Sequence, residues 1–288
     1  MGQQPLRLRR VAWWAMSATG LLTLTACSAT TKDEWKRGAM PKGAADFSDS
    51  VISFWQWTWV AALIVGVMTW GLILFAAIHY RRRRDDEIPV QTRYNLPMEL
   101  LYTVAPVIVV LVFFKFVIDT ASATPYDGKN QAGDHNITVV GQQWSWTFNY
   151  VKDTALDGQT TVFESGTPEK PPTLYLPVGE SVHFQLRSPD VIHSFWVPAF
   201  TYKLDVIPGR DNDFTMTPIR EGTFEGRCAE LCGTYHSRML FNVKVVPADE
   251  FAAHLQDLED QGNTGEAIGG ENATTQEGLE DSESGANE

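Results

Sequence analysis

The stretch VISFWQWTWVAALIVGVMTWGLILFAAIH, from Val51 to His79, runs for 29 residues without one Asp, Glu, Lys or Arg. About 20 apolar residues in a helix already cross the hydrocarbon core of a bilayer, and a helix satisfies its own backbone there, so this stretch predicts a membrane-spanning helix. Trp55, Trp57 and Trp59 crowd its first turns, as aromatic residues do at the headgroup level, and Arg81 to Arg84 follow its end. The positive-inside rule makes that end cytoplasmic.

On the C-terminal side, Leu100 to Ile118 is a second apolar run. Pro106 lies inside it, which membrane helices tolerate, and Lys115 sits near its far end, where a long side chain reaches the interface. Two crossings return the chain to the outer face near residue 120. On the N-terminal side, Arg7, Arg9 and Arg10 precede the short apolar run Val11 to Leu24, which ends in Leu24-Thr25-Ala26-Cys27. This order of charge, apolar core and small residues predicts an export signal of the lipoprotein type over residues 1–26. Cleavage there leaves 288 − 26 = 262 residues beginning at a lipid-modified Cys27.

The predicted organisation is therefore a signal peptide (1–26), an outer-face segment (27–50), a transmembrane hairpin (51–120), an extracytoplasmic domain (121–247) and a short helix with an acidic disordered tail (248–288). The domain is read as all-β. Runs at Ile137–Val140, Trp144–Tyr150, Thr173–Leu176, Ser181–Leu186, Ser194–Pro198, Asp213–Thr217, Gly222–Arg227 and Leu240–Val246 are short, β-branched or aromatic, and separated by turn residues. That spacing predicts a Greek-key sandwich or barrel. Residues 152–172 lack periodicity and read as a long loop, and Ala248 to Gln261 as a short helix.

Charge narrows the partners. Of 35 acidic residues, twelve lie after Lys244 with no Lys or Arg among them, so the first 244 residues balance 23 acidic against 23 basic side chains. A neutral body with an acidic end is no nucleic-acid binder of the bulk-charge kind. The tail reads as a solubilising end rather than a lure for a basic partner, an expectation that truncation after Pro247 tests. Three cysteines are too few for a disulfide scaffold of this size.

Two of them carry chemistry. Cys228-Ala-Glu230-Leu-Cys232-Gly-Thr-Tyr-His236-Ser-Arg-Met239 places four potential metal ligands within twelve residues, and His193 precedes another strand from which a loop can reach the same end of a sandwich. Two Cys and two His suit zinc. The added thioether of Met239 favours copper, and a second thiolate suggests two copper ions bridged by both sulfurs. A plain Cys228–Cys232 disulfide and a thiol-exchange or copper-carrier role are the competing readings. His79, His135, His183 and His254 show no ligand spacing and read as ordinary surface or interface residues.

The stretch Cys228 to Met239 resembles the dinuclear copper-A signature of cytochrome c oxidase subunit 2. The resemblance extends to Asp190-Val-Ile-His-Ser-Phe-Trp-Val-Pro198, Asp205-Val-Ile-Pro-Gly-Arg210 and Gly141-Gln-Gln-Trp-Ser-Trp146, and covers about Ser50 to Pro247. It implies a membrane-anchored, cupredoxin-like Greek-key sandwich after the two-helix hairpin, at the plasma membrane with the large domain outside. It implies two copper ions held by His193, Cys228, Cys232, His236, Met239 and the backbone carbonyl of Glu230, whose carboxylate takes a magnesium ion at the contact with catalytic subunit 1. Trp144 matches the tryptophan at which electrons arrive, and Glu99 the glutamate at the mouth of a proton channel. By spacing alone, Trp144 reads as a core aromatic sharing a face with Trp146, and Glu99 as an interfacial carboxylate closing an apolar run. Asp190 and Arg210 read as docking, supporting or turn residues.

The implied activity is electron transfer from cytochrome c to haem in the catalytic subunit, for oxygen reduction coupled to proton pumping. The chain lacks C-x-x-C-H and so carries no covalent haem. Ser145 stands where the family usually has an aromatic. The long loop and lipoprotein-like start resemble actinobacterial members, whose donor is a membrane-bound dihaem cytochrome c of a bc1-type complex in a supercomplex. Quinol oxidase subunit 2 shares the architecture without the copper ligands, nitrous-oxide reductase shares the site but needs a propeller domain, and a membrane-anchored copper store needs no contact with a proton-channel subunit.

Overall fold

The computed structural model describes residues 29–84, 88, 91–125 and 133–267. The signal segment, Cys27 and the tail after Ala267 lie outside the described residues. The described residues divide into two units, 29–42 and 43–267. In the first, the short helix α1 (Ala29–Lys36) is followed by a turn in which the Arg37 guanidinium bonds Asp33 and the Met40 carbonyl.

In the second unit, α2 (Ser48–His79) and α3 (Leu96–Ser122) are both long and apolar enough to cross a membrane. Both are apolar around their whole circumference, and Leu63, Val67, Val110 and Leu111 are exposed. A helix apolar on every face asks for lipid or a protein partner. α3 starts at Asn95, whose side chain accepts from Met98 N (3.3 Å), while Glu99 Oε1 accepts from Asn95 N (3.1 Å). This reciprocal pair satisfies two backbone donors that a helix start leaves open. Lys115 is ion-paired to Asp119 one turn on.

The remaining chain builds a two-sheet sandwich. One sheet, ordered β3-β2-β1-β5-β8, contains β1 (His135–Gln142), β2 (Ser145–Tyr150), β3 (Val162–Ser165), β5 (Val182–Arg187) and β8 (Asn212–Met216). The other, ordered β4-β10-β9-β6-β7, contains β4 (Thr173–Pro177), β6 (His193–Val197), β7 (Tyr202–Val206), β9 (Gly222–Cys228) and β10 (Leu240–Val246). Each sheet has one parallel pairing, β1 with β5 and β4 with β10, which only long crossovers allow. This is the sandwich that the strand spacing predicts, in the cupredoxin-like form that the resemblance implies. Inward residues of both sheets, among them Phe148, Phe184, Phe195, Phe214 and Phe241, interdigitate as an aromatic core.

Five features depart from the sequence reading. β3 lies within the segment read as a loop and pairs Val162 with Tyr150. β7 was not expected, and pairs antiparallel along β6. The stretch before α2 belongs to the sandwich: Ala44 N donates to Ala199 O (2.8 Å), and Ala44, Ala45 and Phe47 are buried in its core. Helix α4 (Ala248–Asp260), grouped with the tail on sequence, buries Phe251, Leu255 and Leu258 in the same core. Residues 263–267, expected to be disordered, run along β3, with Thr264 opposite Val162 and Ala267 N donating to Asn149 Oδ1. The domain boundary drawn after Pro247 therefore moves to at least Ala267. Apolar periodicity survives in α4, whereas a polar edge segment held by backbone bonds leaves no hydrophobic signal.

Candidate metal centre

β9 delivers Cys228 at its last residue, β6 delivers His193 at its first, and the loop from β9 to β10 carries the remaining candidate ligands before β10 begins at Leu240. β6 and β9 are paired neighbours, Phe195 opposite Cys228, so residues 35 apart in sequence arrive at one end of one sheet. The loop folds back through a short 3-10 turn at His236–Arg238, and Met239 O accepts from Cys228 N (3.0 Å), which closes it.

His193, Cys228 and Cys232 lie within 4.8 Å of one another through their ligand atoms, and all three are buried. The two Sγ atoms stand 3.9 Å apart, far beyond the about 2.05 Å of a disulfide. Cys228 Sγ is 3.9 Å from His193 Nδ1 and 3.2 Å from Glu230 O; Cys232 Sγ is 3.6 Å from His236 Nδ1 and 3.7 Å from Met239 Sδ. Each sulfur thus faces one imidazole nitrogen and one weaker donor. A soft set of two sulfurs, two imidazoles, a thioether and a carbonyl suits copper more closely than zinc.

Electrostatics ask for a cation there. Burial pushes the Cys228 thiol up, but hydrogen bonds from His193 and from the backbone at Glu230 and Ser194 outweigh it and bring it down to about 7. Burial, followed by the negative charge of Cys228, pushes Cys232 up to about 12. Cys232 thus stays a neutral thiol beside Cys228, and ionising both sulfurs takes added positive charge. The donor set and its charge demand fit a multivalent soft-metal site.

Asp190 orients the deepest candidate ligand. Its Oδ1 lies 2.8 Å from His193 Nε2, and its Oδ2 accepts from Gln143 N (2.6 Å). With Nε2 donating to the carboxylate, Nδ1 faces the sulfur, and on giving up its proton it offers a lone pair to the site. The backing is close: a Cβ on Gly141 would lie 3.3 Å from both Cβ and Cδ2 of His193. Trp146, fully buried, donates from Nε1 to Met239 O (3.3 Å).

Trp144 is half-buried in the turn between β1 and β2, outside the strand and unlike the buried Trp146. Its Nε1 and Gln143 Nε2 both donate to Cys232 O, at 3.3 and 2.6 Å. Gly233, next along, holds φ at +127°, and a Cβ there would come 3.1 Å from the indole nitrogen. Glu230 points its exposed side chain outward. Arg210 is exposed in the turn after β7, and Glu99 lies in the first turn of α3, away from this cluster in the fold. Gln143 and Tyr235, both against Trp144, are contacts that ligand spacing gives no sign of.

The other histidines also divide. His135, read as a surface or interface residue, is buried, with Nδ1 2.9 Å from Asp153 Oδ2 and Nε2 2.7 Å from Glu180 Oε2. Its partners lie 18 and 45 residues on, so no local pattern announces them. His254 stacks on Tyr175 with ring centroids 3.7 Å apart, and His183 bonds Thr215.

Residues 135–246 match the family described as cytochrome c oxidase subunit II, periplasmic domain. The sequence is 45% identical over 292 residues to a probable cytochrome c oxidase subunit 2 of Streptomyces avermitilis, covering 90% of each chain. It is 31% identical to a protein of the same description from Nocardia farcinica, covering 93% of this chain and 86% of that one. The crystal structure of the periplasmic domain of cytochrome oxidase subunit II from Bradyrhizobium japonicum matches at 31% identity and a TM-score of 0.40, covering 46% of this chain and 98% of that one.

Proposed function

The chain belongs to the cytochrome c oxidase subunit II family, and from that premise we propose that it takes electrons from cytochrome c at a dinuclear copper centre and passes them to haem in the catalytic subunit. The observation that carries this reading is the convergence of both sulfurs, each facing its own imidazole nitrogen within 3.9 Å.

Cys228, Cys232, His193, His236, Met239 and the Glu230 carbonyl would hold the copper pair. When bound, such a pair would supply a one-electron store with its charge shared between two ions. The chain's own residues make the store quick to use. Asp190 fixes the His193 ring, Trp146 and Gly141 back it, and Met239 closes the site from within, fully buried. A site held this firmly in a dry interior reorganises little when its charge changes. Trp144, bonded to the Cys232 carbonyl and half-exposed, offers an aromatic contact between the surface and the sulfur ligand.

The remaining assignments follow from the family and from the sequence. The exposed Glu230 carboxylate would reach a magnesium ion at the contact with catalytic subunit 1. Glu99, at the start of α3, would stand at the mouth of a proton channel in addition to capping the helix. The tetra-arginine end of α2 would face the cytoplasm, placing the sandwich outside the plasma membrane. Residues 1–26 would be removed and Cys27 acylated. The donor would be a membrane-bound dihaem cytochrome c of a bc1-type complex.

Metal analysis and EPR of the full chain, reconstituted with copper in detergent, test the reading. Two coppers per chain with a delocalised mixed-valence signal are expected. Zinc, a single copper, or a Cys228–Cys232 disulfide without metal would overturn it.

A further inference from the structure

Trp144 sits in a two-residue connection between strands, a poor place to fix a large ring. Its indole bond to Cys232 O is long at 3.3 Å and shared with Gln143, which holds the same oxygen at 2.6 Å. At that length the bond is at the weak end of the hydrogen-bonding range. Ser145, the next residue, brings no aromatic support.

Tyr235 brings it from the metal-binding loop. Its ring stands perpendicular to Trp144, centroids 5.0 Å apart and planes at 89°, in the T-shaped range that aromatic pairs favour. Arg238 lies three residues on, across a 3-10 turn that aligns i with i+3, and places its guanidinium 5.2 Å over the Tyr235 ring. Arg238 Nη2 in turn donates to Glu169 Oε1 at 2.9 Å, in the segment joining β3 to β4. The row Glu169, Arg238, Tyr235, Trp144 is continuous and lies on the surface, where Tyr235 is 43% exposed.

We propose that Tyr235, braced by Arg238 and Glu169, is the positioning residue that holds the Trp144 indole against the carbonyl of Cys232. This deepens the proposed function and rests on Trp144 being the residue at which electrons arrive. The tyrosine acts through the tryptophan and needs only its ring, so phenylalanine should replace it and alanine should not. The segment before β4 thereby gains a stake in electron acceptance, through one charged bond.

The test has two arms. The full chain, metal-free in detergent and labelled with fluorotryptophan, gives a fluorine NMR resonance for Trp144 that a Trp144→Phe variant identifies. Tyr235→Phe should leave that resonance in place, Tyr235→Ala should shift and broaden it, and Arg238→Gln should do so less. In the assembled oxidase, Tyr235→Ala should lower kcat/KM for reduced cytochrome c about three- to tenfold with the copper EPR signal unchanged, and Tyr235→Phe should restore it. An unmoved resonance in Tyr235→Ala, or a phenylalanine variant as impaired as the alanine one, would overturn the proposal. Full activity in Trp144→Phe would instead overturn the role given to Trp144, and with it the kinetic arm, while leaving the fluorine result to judge the contact itself.

Discussion

Asp190 Oδ1 lies 2.8 Å from His193 Nε2, and both side chains are almost wholly buried. Burial pushes the imidazole down and the carboxylate up, yet hydrogen bonds together outweigh it: the bond between the pair and that of His193 with Cys228 hold His193 above its ordinary value, and the pair's bond with those from Gln143 N and Val191 N holds Asp190 below its own. The second carboxylate oxygen anchors the turn before Trp144 through Gln143 N, so one residue orients a ligand and the tryptophan's connection together.

Asp190→Ala should therefore weaken copper binding by about 10- to 100-fold, the usual cost of losing the partner that orients a histidine ligand. Competition against a chelator of known affinity reads this directly. Copper affinity equal to that of the unaltered chain would show that His193 needs no such partner.

The His135 imidazole is a separate matter, lodged between Asp153 and Glu180 with the Phe251 ring edge-on at 5.0 Å. Burial pushes it down, but hydrogen bonds to both carboxylates prevail and raise it above its ordinary value; Asp134 is the further charge beside it. A raised histidine stabilises the folded state fully below its unfolded value of about 6.5, and that contribution fades as pH climbs through the higher folded value. Thermal unfolding should show His135→Gln destabilised most at pH 6, with the gap to the unaltered chain narrowing toward alkaline pH. A gap that stays constant from acid to alkaline pH would mean that the imidazole titrates alike in the folded and unfolded chain, and would overturn the raised value.

Truncation after Pro247 distinguishes a tail from a core element. It removes Phe251, Leu255 and Leu258, each at most 4% exposed, and the bonds that residues 263–267 make to β2 and β3. At about 2 kcal/mol for each large apolar side chain, the loss takes a large share of the about 5–15 kcal/mol that holds a domain together. Truncation after Ala267 keeps all of these contacts. Denaturant unfolding should therefore separate the two by several kcal/mol, and equal stabilities would return the helix to the tail. Slow turnover after truncation at Pro247 thus reports lost packing, not lost charge attraction, unless truncation after Ala267 slows it as well.

What could be read beforehand follows from which forces leave a local trace. A bilayer demands an all-round apolar helix, and Val51 to His79 shows it without ambiguity. Eight strands announce themselves by alternation or aromatic content, whereas β3 and β7 do not: β3 is four residues long, and β7 buries only Val206 fully. At the site, Cys228, Cys232, His236 and Met239 crowd one loop and are visible together. His193 becomes a neighbour only because β6 pairs with β9. The Tyr235 contact with Trp144 and the His135 clamp belong to the three-dimensional arrangement alone, since their partners are far apart in sequence and of unremarkable type.

Gly141 tests how closely the domain is fitted behind the metal site. It lies on β1 opposite Trp146 on β2, and a Cβ added there would meet Trp146 Cζ3 at 3.1 Å and two carbons of His193 at 3.3 Å. Both neighbours are fully buried and hydrogen-bonded, Trp146 to Met239 O and His193 to Asp190, so neither has free space to retreat into. Overfilling such a core costs about 1–3 kcal/mol. The strain should also move an imidazole whose Nδ1 faces the Cys228 sulfur. Gly141→Ala should thus lower the melting temperature and weaken copper binding together, whereas Asp190→Asn, which keeps shape but alters the bond to His193, should affect copper more than stability. Calorimetry and copper titration on the same two variants read both quantities. A Gly141→Ala chain with unchanged copper affinity would show that the strain relaxes through Trp146 and leaves the ligand where it is.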